Sequence, residues 1–352
     1  PDINGNVMWA DNPARKKYYV LNQGCDVVTV FDAATQLPMR YITVGRSSVL
    51  NKIPHRIEVS HDGQYWYVIF TGDSVMQKYR SSDDSFVAEV SLGGYINWSS
   101  LVISNDNKWA YCISWQLSSR LAVVNLENMT LKANMGGGNF TQGHGVTLNK
   151  NNDTLYITNQ YGNYIYKIDT ALNGFNEVII DHNPGLITNS LIDPHEIMFS
   201  PDGSKYFITC QATGEVRVMS THGDHLLQVI NVGSNSFPQE MVKSVAKNKL
   251  YVSCSEGVTG NNTRGSVAVI DMTSLSVSTY PVGYQPHGIA LDETNGYVIV
   301  ASRNIASTGP VPHHTSVCGR NGFVNYFDIN TMQLLNKKTE VASDPYSVSM
   351  RP

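Results

Sequence analysis

The chain has 352 residues, with 25 Lys and Arg against 29 Asp and Glu, which gives a formal net charge of −4. Charged residues make up 15% of the chain, compared with about 25% in a typical soluble domain. A weakly negative balance gives no reason to expect nucleic acid as a partner. No apolar run approaches the roughly 20 residues that a membrane-spanning helix needs, so we expect no direct membrane span.

One short pattern recurs seven times along the chain. It begins with Pro, or in two copies with Trp or Gly, continues with His, Ser, Gln or Tyr, and ends in a short, largely apolar stretch. Its second residues are 44 to 59 positions apart. Self-similarity at this period is typical of stacked or radial repeats, and it favours one repeat domain over two unrelated domains. The seven copies are PHRIEVS (54–60), WSSLVIS (98–104), GHGVTLN (143–149), PHEIMFS (194–200), PQEMVKS (238–244), PHGIALD (286–292) and PYSVSMR (345–351).

The repeat at 194–233 shows what each unit contains. Four short runs, which we name strands A to D, are separated by the turn sequences SPDGSK, ATGE and STHGDH. Pro, Asp and Gly stand where tight turns favour them. Four short strands that each end at a turn are the pattern of one blade of a β-propeller.

The whole chain, 1–352, is therefore predicted to be an all-β, seven-bladed β-propeller of four-stranded blades. The N-terminal part supplies strands B to D without a strand A, and the C-terminus supplies a lone strand A. Joining the two completes one blade and removes an exposed sheet edge. The predicted blades are 16–45 with 344–352 (blade 1), 54–93 (blade 2), 98–137 (blade 3), 143–181 (blade 4), 194–233 (blade 5), 238–283 (blade 6) and 286–343 (blade 7).

The tyrosine-rich B strands (YYVLN, YWYVIF, LYITN, LYVSC), turns such as SPDG and openings such as PHGIA resemble the YVTN-type seven-bladed propellers over essentially the whole chain. This resemblance implies an exported bacterial or archaeal protein, located in the periplasm or at the cell surface. Related propellers include the haem-d domain of nitrite reductase, the copper-cluster domain of nitrous oxide reductase, lactonases and the non-cofactor subunits of amine dehydrogenases. Because propellers host many functions on one scaffold, the resemblance does not choose among them. Since residue 1 is Pro rather than Met, we expect a processed or trimmed chain.

In such a propeller strand A lines the central channel, and the D–A and B–C connections share one face. The long connections fall on that face, at 46–53, 181–193, 256–265 and 304–322. Long loops on one face of a rigid scaffold usually carry function, so a protein partner or small ligand is expected there. The residues predicted at the channel mouth are His55, Ser99, His144, His195, Gln239, His287 and Tyr346, with Arg56 and Arg303 beside them.

Two interpretations of these histidines stay open. In the first they form a metal or tetrapyrrole site, because imidazole suits copper, zinc and iron. Nitrous oxide reductase holds its copper cluster this way, but it uses more histidines and a separate copper domain that this chain lacks. In the second they cap the channel, with their ring nitrogens bonded to backbone or water. We expect no cofactor, with copper or another transition metal as the alternative. The candidate ligands are His55, His144, His195, His287, His313 and His314.

The five cysteines form no CxxC or CxxCH motif. Cys112, Cys210 and Cys254 lie in strand-like runs and are expected to be buried thiols. Cys25 and Cys318 fall in B–C connections of neighbouring blades on the same face, so they are predicted to form a disulfide in an oxidising compartment. The alternative for Cys318 is metal ligation together with the histidines that precede it.

Three functions remain under consideration. The first is a non-catalytic binding or scaffold propeller, part of a periplasmic or cell-surface assembly, with a redox assembly as one option. It is favoured because no catalytic constellation is complete. The second is a metal- or tetrapyrrole-dependent redox protein that uses the histidines. The third is a lactonase-like hydrolase that uses histidine with Glu196, Glu240, Arg56 or Arg303. The candidate contact anchors of the first are Tyr95, Trp98, Trp115, Tyr161, Phe237 and Tyr284, although channel lining or blade packing is the favoured interpretation for any single one of them.

Overall fold

The computed structural model describes residues 15–47, 49–137, 140–180, 192–256, 264–306, 315–316 and 318–352. These residues contain strands and turns and no α-helix, so none of them belongs to a helix that could cross a membrane. In chain order the strands are β1 (Lys17–Asn22), β2 (Val27–Asp32), β3 (Leu37–Thr43), β4 (Pro54–Val59), β5 (Tyr65–Phe70), β6 (Val75–Arg80), β7 (Phe86–Ser91), β8 (Trp98–Ile103), β9 (Trp109–Ser114), β10 (Arg120–Asn125), β11 (Thr130–Gly136), β12 (Gly143–Leu148), β13 (Thr154–Asn159), β14 (Tyr164–Asp169), β15 (Asn176–Ile179), β16 (Pro194–Phe199), β17 (Lys205–Cys210), β18 (Glu215–Ser220), β19 (Leu226–Asn231), β20 (Pro238–Ser244), β21 (Lys249–Cys254), β22 (Arg264–Asp271), β23 (Val277–Tyr284), β24 (Pro286–Asp292), β25 (Tyr297–Ser302), β26 (Thr315–Ser316), β27 (Gly319–Asp328), β28 (Leu334–Ser343) and β29 (Pro345–Met350).

These strands form seven antiparallel sheets, so the predicted seven-bladed β-propeller is confirmed. Blade 1 has the order β29-β1-β2-β3, which is the predicted closure of the ring by the C-terminal strand. In that closure Tyr19 lies opposite Ser349. Blade 7 differs from the others because the two-residue strand β26 pairs with the start of β27 and makes a fifth strand.

The turns show why these residues form short strands. In the A–B turn of blade 5 the Ser200 hydroxyl donates to Asp202 Oδ1 at 2.6 Å, and the Ser204 N–H donates to the same oxygen at 3.0 Å. Gly203 follows with a φ of 76°, a left-handed conformation that glycine adopts without a steric penalty. These local bonds end strand A and direct the chain back into strand B.

The hydrophobic core is divided among the seven interfaces between adjacent blades. Each interface holds one cluster of buried side chains, contributed mainly by strands A, B and C. Between blades 1 and 2, for example, the rings of Trp66 and Tyr79 are stacked 3.9 Å apart beside Tyr19. The tyrosine-rich B strands are therefore packing surfaces. Trp98 belongs to such a cluster and is fully buried, so its candidate role as an exposed contact anchor is wrong.

Each strand A is preceded by a residue with left-handed backbone. The carbonyl oxygen of that residue accepts a hydrogen bond from the N–H of the residue that follows strand B of the same blade; Trp115 N–H to Asn97 O, at 2.7 Å, is one example. This bond extends the pairing of strands A and B by one hydrogen bond in every blade, at the end where the channel opens. The seven left-handed residues are Ile53, Asn97, Gln142, Asp193, Phe237, Gln285 and Asp344.

Candidate functional site

The second residues of the A strands lie at one end of the channel, and four of them bond to the backbone of the next blade: His55, Ser99, His144 and His287. His55 Nδ1 donates to the Ser99 carbonyl oxygen at 2.8 Å, and His287 Nδ1 donates to that of Tyr346 at 2.9 Å. His144 Nδ1 donates to the His195 carbonyl oxygen at 3.2 Å. Since a carbonyl oxygen can only accept, these three imidazoles carry a proton on Nδ1, and a neutral ring then has Nε2 as an acceptor.

Five side chains form a closed cycle around the axis, which we call the channel-mouth ring. The members are His55, His144, His195, His287 and Tyr346. Their successive centroid distances are 5.8, 4.0, 5.5, 3.7 and 4.3 Å, ending between Tyr346 and His55. The structure thus brings together five of the residues predicted at the mouth.

Ser99 and Gln239, the other two predicted mouth residues, stand at the equivalent positions but contribute no ring. The Ser99 hydroxyl donates to the Gly143 carbonyl oxygen at 3.0 Å. The Gln239 carboxamide accepts from Gln211 Nε2 at 2.6 Å and donates to the Phe237 carbonyl oxygen at 2.8 Å. Gln239 is therefore bonded to the loops of its own face.

The imidazoles of the ring are neutral at physiological pH. Burial lowers the pKa of His55 to about 3, helped by the nearby imidazole of His144. Burial likewise lowers the pKa of His144 to about 4. The pKa values of His195 and His287 lie well below the ordinary histidine value, again because of burial first. In the buried ring a protonated, charged imidazole would lose its hydration, so the neutral form is favoured.

One residue deeper in the channel, Arg56 is surrounded by three carboxylates. Its Nη1 lies 3.0 Å from Glu240 Oε1 and 3.5 Å from Glu196 Oε2, and its Nη2 lies 2.9 Å from Glu58 Oε1. Burial raises the pKa of Glu240 to about 8, even though Arg56 acts in the opposite direction. Burial also raises the pKa of Glu196.

Two glycines occupy the same layer as Arg56, and both are required by the spacing of the blades. A Cβ added at Gly145 would lie 2.6 Å from the His195 carbonyl oxygen, and one at Gly288 would lie 2.8 Å from that of Tyr346. Any side chain there would push the neighbouring blade outwards, which explains the His-Gly pairs in GHGVT and PHGIA.

Arg303, the other arginine predicted at the site, lies beside Tyr346. Its guanidinium carbon is 4.8 Å from the centre of that ring, a distance typical of a cation–π contact. Its Nε donates to Asp344 Oδ1 at 2.6 Å, and its Nη2 donates to Asp344 Oδ2 at 3.0 Å. The charge of Arg303 is therefore already balanced within the protein.

A pocket of about 170 Å³ opens above one side of the ring. Thr71, Asn97 and Gln160 were not predicted to line this pocket, and Trp115 was a candidate contact anchor rather than a predicted pocket residue. Thr71, Trp115 and Gln160 each follow strand B directly, so the repeat register was a signal that could have found them. The eight lining residues are His55, Thr71, Asn97, Ser99, Trp115, His144, Gln160 and Tyr346.

Larger grooves lie elsewhere, between the outer strands of neighbouring blades. One of about 610 Å³ between blades 3 and 4 includes Trp109 and Leu172, and one of about 490 Å³ between blades 6 and 7 includes Tyr284 and Leu334. They gather no comparable set of imidazole and carboxamide groups. The chemistry of the lining, rather than volume, therefore selects the mouth as the candidate site.

No group of three or more His, Cys, Asp or Glu side chains in the described part of the chain is placed to hold a metal ion. His313 and His314 lie outside the described residues. A pocket of about 170 Å³ is also small for a tetrapyrrole, since pockets for organic ligands usually span about 300–1,000 Å³. The described residues therefore fit neither a copper centre nor a haem.

Cys25 and Cys318 form a disulfide whose Cα atoms are 5.3 Å apart, and it joins blade 1 to blade 7 at the seam of the ring. While this bond is intact Cys318 is not available as a thiolate ligand. Cys112, Cys210 and Cys254 are free and buried, and burial raises the pKa of both Cys210 and Cys254 to about 12.

Exposed apolar side chains are distributed unequally between the two faces. Of the 14 large hydrophobic residues exposed in the described ranges, eight lie in D–A or B–C connections, five lie on outer D strands, and only Val245 lies in a turn of the opposite face. We name the face with these connections the channel-mouth face. Its eight exposed residues are Val49, Leu50, Tyr95, Ile96, Leu117, Tyr161, Phe237 and Ile305.

No protein-family model and no curated protein matches this sequence. Similar solved structures include the periplasmic gluconolactonase PpgL of Pseudomonas aeruginosa, with a TM-score of 0.71, 16% identity and coverage of 96% of this chain and 99% of that one. The Kuenenia stuttgartiensis hydrazine synthase has a TM-score of 0.67 at 15% identity, covering 88% of this chain and 94% of that one. The dihydro-heme d1 dehydrogenase NirN has a TM-score of 0.62 at 13% identity, covering 98% of this chain and 77% of that one.

At these identities the similarity shows the fold alone. The chain is a seven-bladed β-propeller with a buried histidine ring at one mouth of its channel. Its resemblance to the YVTN-type family is not confirmed by these comparisons.

Proposed function

We propose that this protein is an exported binding propeller, without catalysis of its own, that receives a partner or ligand on the channel-mouth face within a periplasmic or cell-surface assembly. The observation that carries the proposal is the uneven distribution of exposed apolar side chains, eight on this face and one on the other. A concentration of exposed apolar side chains on one face favours an interaction site there, and aromatic residues are frequent anchors in interfaces.

The opposite face supports the same choice by contrast. Its A–B turns are built from Ser, Asp and Asn side chains that bond within the turn, as the Ser60 hydroxyl does with Asp62 Oδ1 at 2.6 Å and the Ser104 hydroxyl with Asp106 Oδ1 at 2.6 Å. Polar groups that are already satisfied in this way offer little to a partner.

The arrangement of the channel residues argues against a hydrolase. A histidine base is usually oriented by a carboxylate, but the three Nδ1 atoms described above donate to backbone carbonyl oxygens. His287 Nδ1 is 3.6 Å from Glu240 Oε1, which is too long for a hydrogen bond. Glu196 and Glu240 are buried against Arg56, so neither is free to activate water.

The similar structures are the reason for proposing a periplasmic, redox-active assembly as the partner. The names of two of them, hydrazine synthase and dihydro-heme d1 dehydrogenase, belong to redox enzymes, and the name of a third places it in the periplasm. A propeller that serves such an enzyme as a partner-binding subunit would need the apolar contact face and no complete catalytic site.

The test uses the tagged full chain expressed in its native cells, with cross-linking before purification. I96D/L117D places two charges on the channel-mouth face, where both side chains are exposed. L227D/V245D makes the same change at exposed positions away from this face. We expect the stoichiometric cross-linked partner to fall about tenfold with the first variant, as for the loss of an interface hot spot, and to be unchanged with the second.

Equal recovery of the partner with I96D/L117D and the wild type, or loss only with L227D/V245D, would show that another surface binds. Turnover of glucono-1,5-lactone by the purified protein, abolished in the E240Q variant, would overturn the non-catalytic part of the proposal.

A further inference from the structure

The pocket above the channel-mouth ring has a lining without a single formal charge. Its eight residues comprise two imidazoles, two carboxamides, three hydroxyls and one indole. Arg303, whose guanidinium lies against the Tyr346 ring, is paired with Asp344 through two bonds. A carboxylate, a phosphate or an ammonium entering this space would lose its hydration without meeting an opposite charge, which is costly.

The imidazoles also restrict the hydrogen-bonding character of a ligand. Because Nδ1 of His55 and of His144 donates to a backbone carbonyl oxygen, each ring presents Nε2 as an acceptor. In the described part of the structure neither Nε2 has a hydrogen-bond partner, and neither is among the fully enclosed polar atoms. A ligand must therefore donate to these nitrogens, which an anionic carboxylate cannot do.

Three of the other groups, the Tyr346 hydroxyl and the two carboxamides, can both donate and accept. The Tyr346 hydroxyl has no partner among the described residues, and the carboxamides of Asn97 and Gln160 offer one group of each kind. The rings of Tyr346 and Trp115 add flat apolar surface. At ~30 Å³ per water molecule, the space of about 170 Å³ holds roughly five or six waters, enough for a small molecule but not for a peptide segment.

We propose that this pocket binds a small uncharged molecule that carries several hydroxyl groups. A hydroxyl donates to one imidazole while accepting from a carboxamide or from Tyr346, so it matches the imidazoles, the carboxamides and the Tyr346 hydroxyl together. The inference deepens the proposed binding function, since it names the ligand chemistry of the same face.

The test is a titration of the purified full chain, followed by ligand-observed NMR, with three matched probes. Glucosamine replaces the C2 hydroxyl of glucose by an ammonium, and glucuronate replaces its C6 hydroxymethyl group by a carboxylate. We expect glucose to bind and both charged analogues to bind at least tenfold more weakly. Equal binding of all three, or binding of none of them at 10 mM or below, would overturn the proposal.

Two ring variants make the result specific. H144F removes one acceptor from the pocket, while the His195 carbonyl oxygen keeps the Thr158 hydroxyl as a donor at 2.9 Å. H195F is the matched control, because His195 belongs to the ring without lining the pocket and its Nδ1 has no partner. Loss of one hydrogen bond predicts an affinity about three- to tenfold lower for H144F and no change for H195F. Equal weakening in both variants would contradict the assigned pocket.

A third variant does not depend on the ring. N97D adds a carboxylate to the pocket wall at a position whose left-handed φ of 61° Asp also tolerates. We expect N97D to shift the preference from glucose towards glucosamine, and an unchanged preference would count against the site. The eight lining residues are unchanged in I96D/L117D, so its glucose titration separates failure of this inference from failure of partner binding.

Discussion

Replacing Cys25 and Cys318 by serine removes the covalent link across the seam between blades 1 and 7. The two residues are separated by 293 positions, so the disulfide closes nearly the whole chain into a loop. In the chain-entropy model a loop of this length stabilises the folded state by about 5–6 kcal/mol, chiefly by restricting the unfolded chain. We expect the free energy of unfolding of C25S/C318S to be lower by several kcal/mol, with the fold retained because β29 still pairs with β1.

Equilibrium unfolding in urea measures this difference, with the midpoint and slope compared between the two proteins. The matched control is the wild-type chain with its disulfide reduced, which loses the link without any substitution and should unfold like the variant. A difference below about 1 kcal/mol would refute the reasoning, since it would mean that strand pairing alone determines the stability of the closed ring.

Three further predictions concern the channel. Gly145→Ala should destabilise the fold by about 1–3 kcal/mol, as for overpacking of a core, because its Cβ would lie 2.6 Å from the His195 carbonyl oxygen; an unchanged midpoint in a thermal melt would contradict this. Glu240 has a folded pKa near 8 against an ordinary 4.5, so the folded state binds the extra proton and stability is lost as pH rises from 4.5 to 8; E240Q should flatten that slope in urea titrations, and an unchanged slope would contradict it. The pKa of His195 is depressed below 6.5, so its contribution has the opposite sign and stability is lost as pH falls below 6.5; H195F should weaken this acid sensitivity, and equal sensitivity would show that other groups cause it.

The blade number and the closure of the ring were predictable because their signals are local and repeated. A turn such as SPDG ends one strand and starts the next through bonds within six residues, as Ser200 and Asp202 show. Seven copies of one pattern then predict that equivalent residues share one rim of the channel, and the structure places His55, His144, His195 and His287 together there.

The sequence left the bonding of those histidines open between metal ligation and bonds to backbone or water, and it could not choose between the two. Whether an imidazole is a metal ligand, a base or a neutral acceptor depends on what its Nδ1 meets, and here that atom meets a carbonyl oxygen of the next blade, 44 to 59 positions along the chain. The same holds for the network of Arg56 with Glu196 and Glu240, which come from three different blades. No local pattern carries this information.

Taken by itself, the amino-acid sequence determined the repeat, the strand order within a blade and the joining of the two termini, since these depend on residues close together in the chain or on their recurrence. Only the tertiary structure decided which atoms of the mouth residues are free, which side chains wall the pocket and which face exposes its apolar residues. The left-handed residues before the A strands illustrate the reason: Ile53, Asn97 and Phe237 share no chemistry, and their common backbone conformation is imposed by the turn between blades.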